Sequence, residues 1–121
     1  MGLDALQFAK ECNVTMYYGS DLLGPLGKYQ SREFGLRSQV LSALDILQSA
    51  TINPAKTMGQ SQLGQIKPSI FADLLVLESN PLDDITIFER SEEIQLVMKE
   101  GRVCRSSIEG LPGLLDTSMQ L

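Results

Sequence analysis

A short apolar run near the start of the sequence constrains the fold more than any other feature. Its apolar residues stand at even and odd positions alike: Val14, Met16, Tyr17 and Tyr18. This pattern is typical of a strand that is covered on both faces in a parallel α/β sheet. No second strand pattern precedes this run, so the strand would lack neighbours and leave backbone groups unpaired. The pattern therefore predicts that the chain is the end of a larger protein or needs a partner chain.

Gly19, Ser20 and Asp21 follow the run directly. A carboxylate just past the carboxyl end of a parallel strand lies where α/β folds bind their ligands, so Asp21 is a candidate site residue. The alternative is that Ser20 or Asp21 only caps a turn, since Gly-Ser-Asp is ordinary loop chemistry. This stretch alone leaves both interpretations open.

The rest of the first half is predicted to be helical. Apolar spacing indicates a helix over residues 3–12, and glycine and proline indicate a loop over residues 22–28. Ser31 is expected to cap a helix that continues through Leu41, with Arg37 toward water.

Three further residues predict where the next helices begin and end. Ser42 opens a capping-box pattern with an aspartate three residues later. Asn53 is expected to cap another helix, with Pro54 at its first position, and Gly59 to close it.

The second half is predicted to form a small antiparallel or mixed sheet. Short apolar stretches indicate strands over residues 63–68, 72–78, 94–99 and 102–104. The pair Glu100-Gly101 is typical of the hairpin turn between the last two. Residues 106–121 show no clear period, which predicts a disordered tail.

Composition excludes several classes of partner and site. The formal net charge is -5 with no basic cluster, so no nucleic-acid partner is expected. No membrane-length apolar stretch and no signal-peptide pattern is present, which predicts no membrane partner and a cytoplasmic location. The chain has no histidine, the residue on which most transition-metal sites depend. Cys12 and Cys104 form no Cys-x-x-Cys pair, so no zinc knuckle is expected.

A series of motifs along the chain resembles the C-terminal end of the amidohydrolase superfamily, with imidazolonepropionase-like and prolidase-like members most similar. The resemblance covers residues 5–105. In order, the motifs are Gly19-Ser20-Asp21, residues 49–56 (SATINPAK), residues 63–68 (LGQIKP), residues 72–77 (ADLLVL), residues 80–82 (NPL) and residues 97–103 (VMKEGRV).

The resemblance implies an incomplete α/β fold in two parts. Residues 1–59 would be the C-terminal end of a (β/α)₈ TIM-like barrel, its last strand plus helices. Residues 60–105 would be half of a small composite β-sandwich domain, followed by the tail.

The resemblance also implies a metal-dependent hydrolase of carbon–nitrogen bonds other than ordinary peptide bonds, such as cyclic amides or dipeptide bonds to proline. Asp21 matches the aspartate that ligates the divalent metal, zinc for example, and accepts a proton from the attacking water. The substrate of a complete enzyme would be a small-molecule amide.

The histidine ligands of the family are missing from this sequence. One carboxylate cannot hold catalytic zinc, which takes about three protein ligands, so we expect the chain alone to bind no metal and to be inactive. The alternatives are a non-catalytic β-sandwich interaction module or a subunit of a split enzyme. In either case a partner chain or a second copy would cover the exposed apolar faces.

Overall fold

Helices make up the first half of the chain. The computed structural model describes residues 2–114. Within them, the α-helices are α1 (Gly2–Glu11), α2 (Glu33–Arg37), α3 (Ala43–Ala50) and α4 (Ile52–Thr57). Three 3₁₀ helices span Gly24–Arg32, Ile85–Glu89 and Ser91–Glu93. The predicted helix over residues 3–12 is confirmed by α1.

The loop and the cap predicted between α1 and α3 are wrong. A 3₁₀ helix occupies Gly24–Arg32, with a proline in its first turn, whose fixed φ favours the start of a helix. Ser31 lies inside this 3₁₀ helix and caps nothing. α2 then ends at Arg37, where the Ser38 hydroxyl donates to the Gly35 carbonyl at 2.6 Å. Such local bonds compete with helix continuation.

The capping residue predicted for α3 is confirmed. The Ser42 hydroxyl accepts the Asp45 N–H at 3.1 Å and donates to the Asp45 carboxylate at 2.8 Å. This bond satisfies one of the free N–H groups at the helix start.

The cap predicted for α4 is wrong, and the predicted stop is confirmed. Thr51 precedes α4, and Asn53 lies within its first turn. The Asn53 amide instead donates to the Met16 carbonyl at 3.1 Å. Gly59 follows the helix with φ +67°, a left-handed conformation that glycine adopts without strain.

Three of the four predicted strands are confirmed. β1 (Leu74–Leu77), β2 (Ile94–Lys99) and β3 (Arg102–Ser106) form an antiparallel sheet in the order β1-β2-β3. The turn between β2 and β3 has positive φ at Glu100 (50°) and Gly101 (78°), which matches the twist of a two-residue hairpin.

The strand predicted over residues 63–68 is wrong, because the chain turns there. Gly64 has φ +80°, and a Cβ at this position would lie 2.6 Å from the Thr51 carbonyl oxygen. Ile66 remains 86% exposed. Of the predicted tail over residues 106–121, Ser106 belongs to β3, and residues 115–121 lie outside the described residues.

The core joins residues from both halves of the sequence. Leu41, Ile46 and Ile85 are buried together, and Phe34 and Phe88 pack against them. Hydrophobic burial therefore ties the 3₁₀ helix Ile85–Glu89 to the helices of the first half. The domain boundary at residues 59/60 stays a prediction. Between residues 2 and 114, no helix is long and apolar enough to cross a membrane.

Asp73 makes the stability of the hairpin dependent on pH. Its carboxylate accepts the Glu100 N–H at 2.8 Å and an Nζ–H of Lys99 at 3.0 Å. These bonds hold the Asp73 pKa below its ordinary value of 3.8. Because the folded pKa is the lower one, this stabilisation is complete above the unfolded pKa and is lost as the pH falls through the folded pKa.

We therefore expect the urea midpoint of the wild type to fall between pH 5 and pH 3, and to fall less in Asp73→Asn. Some dependence should remain, because Thr86 and Arg90 also lower the pKa of Asp84. An unchanged pH dependence in Asp73→Asn, measured by circular dichroism, would contradict this assignment.

Candidate functional site

The segment that leads to Asp21 is not a strand. Residues 14–20, called the open segment below, carry no helix, turn or strand, so the predicted buried strand is wrong for this chain. Val14 is 54% exposed and Tyr17 41%, so the segment is not covered on both faces either. A strand needs a hydrogen-bonded neighbour, and none pairs with the open segment among the described residues.

Three helices nevertheless hold the open segment in place. The Asn53 amide of α4 donates to the Met16 carbonyl at 3.1 Å, and Arg37 Nη1 of α2 donates to the Tyr17 carbonyl at 2.9 Å. The Tyr18 N–H donates to the Ser49 carbonyl of α3 at 2.9 Å. Each contact joins residues distant in sequence, so the helices position the segment before Asp21.

Arg37 is a positioning residue that the sequence placed wrongly toward water. It is only 8% exposed, because its guanidinium also donates to Glu33 at 3.0 Å and its Cζ lies 5.2 Å from the centroid of the Tyr18 ring. The one sequence signal for this role is the carboxylate of Glu33 four residues earlier, which is the spacing of a helical ion pair.

Tyr18 packs its ring against the core. The ring stacks on Phe34 with centroids 4.4 Å apart, and Phe34 stacks on Phe88 at 4.6 Å. The Tyr18 hydroxyl donates to the Gln30 carbonyl at 2.7 Å. Burial, with a smaller contribution from the Glu33 charge, raises the pKa of Tyr18 to about 12. Tyr18 therefore stays a neutral hydrogen-bond donor near neutral pH.

Asp21 lies at the exposed end of this arrangement. Its φ is 52°, in the left-handed region that aspartate tolerates better than most residues. Within residues 2–114, no hydrogen bond or ion pair reaches its carboxylate. The carboxylate is therefore free to meet a ligand or a partner chain.

The residues present around Asp21 do not fit a catalytic divalent metal. In the described part of the chain, no three carboxylate, thiol or imidazole groups come together, and zinc sites take about three protein ligands. We therefore assign no reaction step through a metal to this chain alone.

A cleft of about 410 Å³ lies against the start of the open segment, and Asp21 is not part of its wall. Polar side chains of α1, α3 and α4 line it, with Lys10, Asp45, Gln48 and Asn53 among them. Lys10 and Asp45 are both already engaged, with the Val40 carbonyl and with Ser42. The cleft is therefore distinct from the candidate site at Asp21.

The sequence pattern of the Amidohydrolase family matches residues 2–104. The chain belongs to this family. The resemblance stated from the motifs is confirmed. Ochratoxinase from Aspergillus niger is 30% identical over 103 residues, which are 84% of this chain and 22% of that protein. Imidazolonepropionase from Thermoplasma acidophilum is 31% identical over 84 residues, 69% of this chain and 20% of that protein.

The fold of this chain is similar to that of solved structures. A prolidase complexed with N-methylphosphonate-L-proline matches with a TM-score of 0.79 and 38% sequence identity, over 84% of this chain and 26% of the prolidase. The amidohydrolase chain described here thus spans about a fifth to a quarter of the length of these relatives.

Proposed function

We propose that this chain supplies one part of a metal-dependent amidohydrolase that acts on carbon–nitrogen bonds other than ordinary peptide bonds, and that it is inactive by itself. The observation that carries the proposal is the placement of Asp21. Three helices fix the segment before it. Within residues 2–114 its carboxylate makes no hydrogen bond or ion pair and belongs to no group of three potential metal ligands. The remaining ligands would come from the part of the family's sequence outside the region matched here.

The role proposed for Asp21 is that of a metal-side carboxylate that takes a proton from the attacking water. Zinc is the divalent ion that we propose for the complete enzyme. A carboxylate within hydrogen-bond reach of the attacking water serves as a general base, and ionised aspartate only accepts hydrogen bonds. An exposed Asp21 that makes no hydrogen bond or ion pair within residues 2–114 meets this requirement without breaking one.

Small-molecule amides are the substrates we propose, either cyclic amides or dipeptides that end in proline. The names of the prolidase and imidazolonepropionase relatives support this class, and the selectivity would come from parts of the barrel outside this chain. The cytoplasmic location expected from composition stays a prediction.

A chimera tests the proposal directly. Residues 2–104 would replace the matched region of the solved prolidase, and hydrolysis of proline dipeptides and cyclic amides would be measured with added zinc. We expect turnover by the chimera and none by the isolated chain. Turnover by the isolated chain with bound metal, or a folded, metal-loaded chimera without activity on either substrate class, would contradict the proposal.

One observation favours a second candidate, a non-catalytic assembly module. β1 is an edge strand of the sheet, and Leu75 and Val76 on it are 48% and 40% exposed. Exposed edges of this kind pair with other chains. A monodisperse folded oligomer of the isolated chain in light scattering, together with an inactive chimera, would favour the module over the enzyme part.

A further inference from the structure

A cavity of about 450 Å³, called the basic cavity below, lies beside the 3₁₀ helix Gly24–Arg32. Four side chains of this helix line it, namely Lys28, Tyr29, Ser31 and Arg32. The rest of its wall comes from the end of the 3₁₀ helix Ile85–Glu89 and from the residues up to the start of β2. The volume falls within the range of small-molecule sites, roughly 300–1,000 Å³.

The geometry of the 3₁₀ helix gathers two positive charges around one aromatic ring. A 3₁₀ helix has three residues per turn, so side chains three positions apart eclipse one another. The guanidinium of Arg32 accordingly lies over the Tyr29 ring, with its Cζ 4.4 Å from the ring centroid, and Lys28 Nζ lies 5.0 Å from the same centroid. Since the face of an aromatic ring attracts cations, Tyr29 holds both charges at the wall of the cavity.

No carboxylate neutralises these two cations. Within residues 2–114, neither Lys28 nor Arg32 has a carboxylate oxygen within 4.0 Å of its side-chain nitrogens. Glu89 also lines the cavity, but its Oε1 accepts the Gly35 N–H at 3.0 Å. The basic cavity therefore carries more positive than negative charge, although the formal net charge of the chain is -5.

Part of the wall is apolar. Phe88 and Ile94 line the cavity and are both half-buried. The Phe88 ring is held by stacking on Phe34, with the two centroids 4.6 Å apart. The cavity thus combines two cations with a fixed apolar surface, which is the combination that small-molecule sites use for affinity and orientation.

We propose that the basic cavity binds a small organic anion, a carboxylate or a phosphate ester with an apolar body. Arginine and lysine both form charge-assisted hydrogen bonds to such oxyanions, and the apolar body would pack against Phe88 and Ile94. Two cations in a cavity of this size do not suit a nucleic acid, whose binding depends on many phosphate contacts. Asp21 is not part of the wall, so this proposal goes beyond the proposed function and does not depend on it.

Binding of simple probes to the whole chain tests the proposal. Phenyl phosphate, benzoate, inorganic phosphate and benzyl alcohol would each be titrated, with affinity measured by calorimetry and the contacted residues identified by NMR amide shifts. We expect phenyl phosphate or benzoate to bind at least tenfold more tightly than both inorganic phosphate and benzyl alcohol, because only the aromatic anions use the charged and the apolar wall together. The tighter of the two identifies the preferred oxyanion.

Either of two results would overturn the proposal. One is that neither aromatic anion exceeds inorganic phosphate and benzyl alcohol in affinity. The other is that the largest amide shifts lie outside residues 28–32 and 88–94. Because binding and not hydrolysis is measured, an inactive prolidase chimera leaves this result unchanged.

Arg32→Gln is expected to weaken binding of the preferred probe at least tenfold, the effect of losing a hydrogen bond to a charged group. Lys67→Gln is the matched control, since it lowers the net charge equally. Lys67 is exposed, makes no ion pair within residues 2–114 and is not part of the cavity wall. Equal affinities of the two variants would contradict the proposal, and Lys28→Gln decides if circular dichroism shows that Arg32→Gln is misfolded.

Glu89→Gln is expected to act in the opposite direction. Glutamine keeps a side-chain oxygen for the Gly35 N–H but removes the negative charge from the cavity wall. The preferred probe should then bind about threefold more tightly, because a like charge beside the anion is lost. An unchanged or weaker affinity would mean that the anion does not lie in the basic cavity.

Discussion

Asp21→Asn in the prolidase chimera is expected to lower kcat/KM by on the order of 10²–10⁴-fold, the usual contribution of a positioned general base. The amide that replaces the carboxylate has nearly the same size but cannot take a proton at neutral pH. The Asp21 side chain makes no hydrogen bond or ion pair with another described residue, so the change should leave the fold intact. The measurement is steady-state hydrolysis of a proline dipeptide, with zinc content determined for each protein.

Asp83→Asn is the matched control for this prediction. Asp83 is also exposed, lies in the turn before the 3₁₀ helix Ile85–Glu89, and makes only a backbone contact, to the Asn80 carbonyl. The chimera with Asp83→Asn should keep wild-type kcat/KM. A loss of less than about twofold in Asp21→Asn, or equal losses in the two variants, would remove Asp21 from the reaction.

Ile46→Ala is expected to lower the free energy of unfolding by about 2–5 kcal/mol, the range found for large-to-small changes in protein cores. Ile46 of α3 is fully buried at 0% exposure, between Leu41 and Ile85. Removing three carbons there leaves a cavity at the point where the two halves of the sequence meet. Urea denaturation followed by circular dichroism measures the loss.

Leu44→Ala on the same helix separates packing from helix propensity. Leu44 is 52% exposed, and alanine is the better helix former, so the free energy of unfolding should change by no more than about 0.5 kcal/mol. Similar losses in the two variants would mean that the buried face of α3 differs from the one described.

Interactions within a few residues were predictable from the sequence. Ser42 meets Asp45 three residues away, and Glu100-Gly101 closes a turn between neighbouring strands. The ordered motifs likewise predicted the family, because several weak signals in a fixed order are rarely matched together by chance. The position of Asp21 just after an apolar run made it a candidate site residue, and its role in a metal site stays a prediction.

Other patterns were ambiguous because they describe more than one environment. An asparagine before a proline is typical of a helix N-cap. Asn53 instead lies inside α4, and its side-chain amide donates to the Met16 carbonyl. An arginine on a short helix is expected to be exposed to solvent. Arg37 is instead buried, with hydrogen bonds to Glu33 and to the Tyr17 carbonyl. No local rule distinguishes these outcomes, since Met16 is 37 residues from Asn53 and Tyr17 is 20 residues from Arg37.

The sequence by itself determined the first helix, the Ser42 cap, the hairpin turn at Glu100-Gly101 and the family, because these features depend on neighbours along the chain. Only the tertiary structure decided that contacts from three helices, at the Met16 and Tyr17 carbonyls and the Tyr18 N–H, hold residues 14–20. An apolar run becomes a strand only where a second strand completes its hydrogen bonds. The described part of this chain has no such strand beside it, so the same residues remain an unpaired segment that leads to an exposed Asp21.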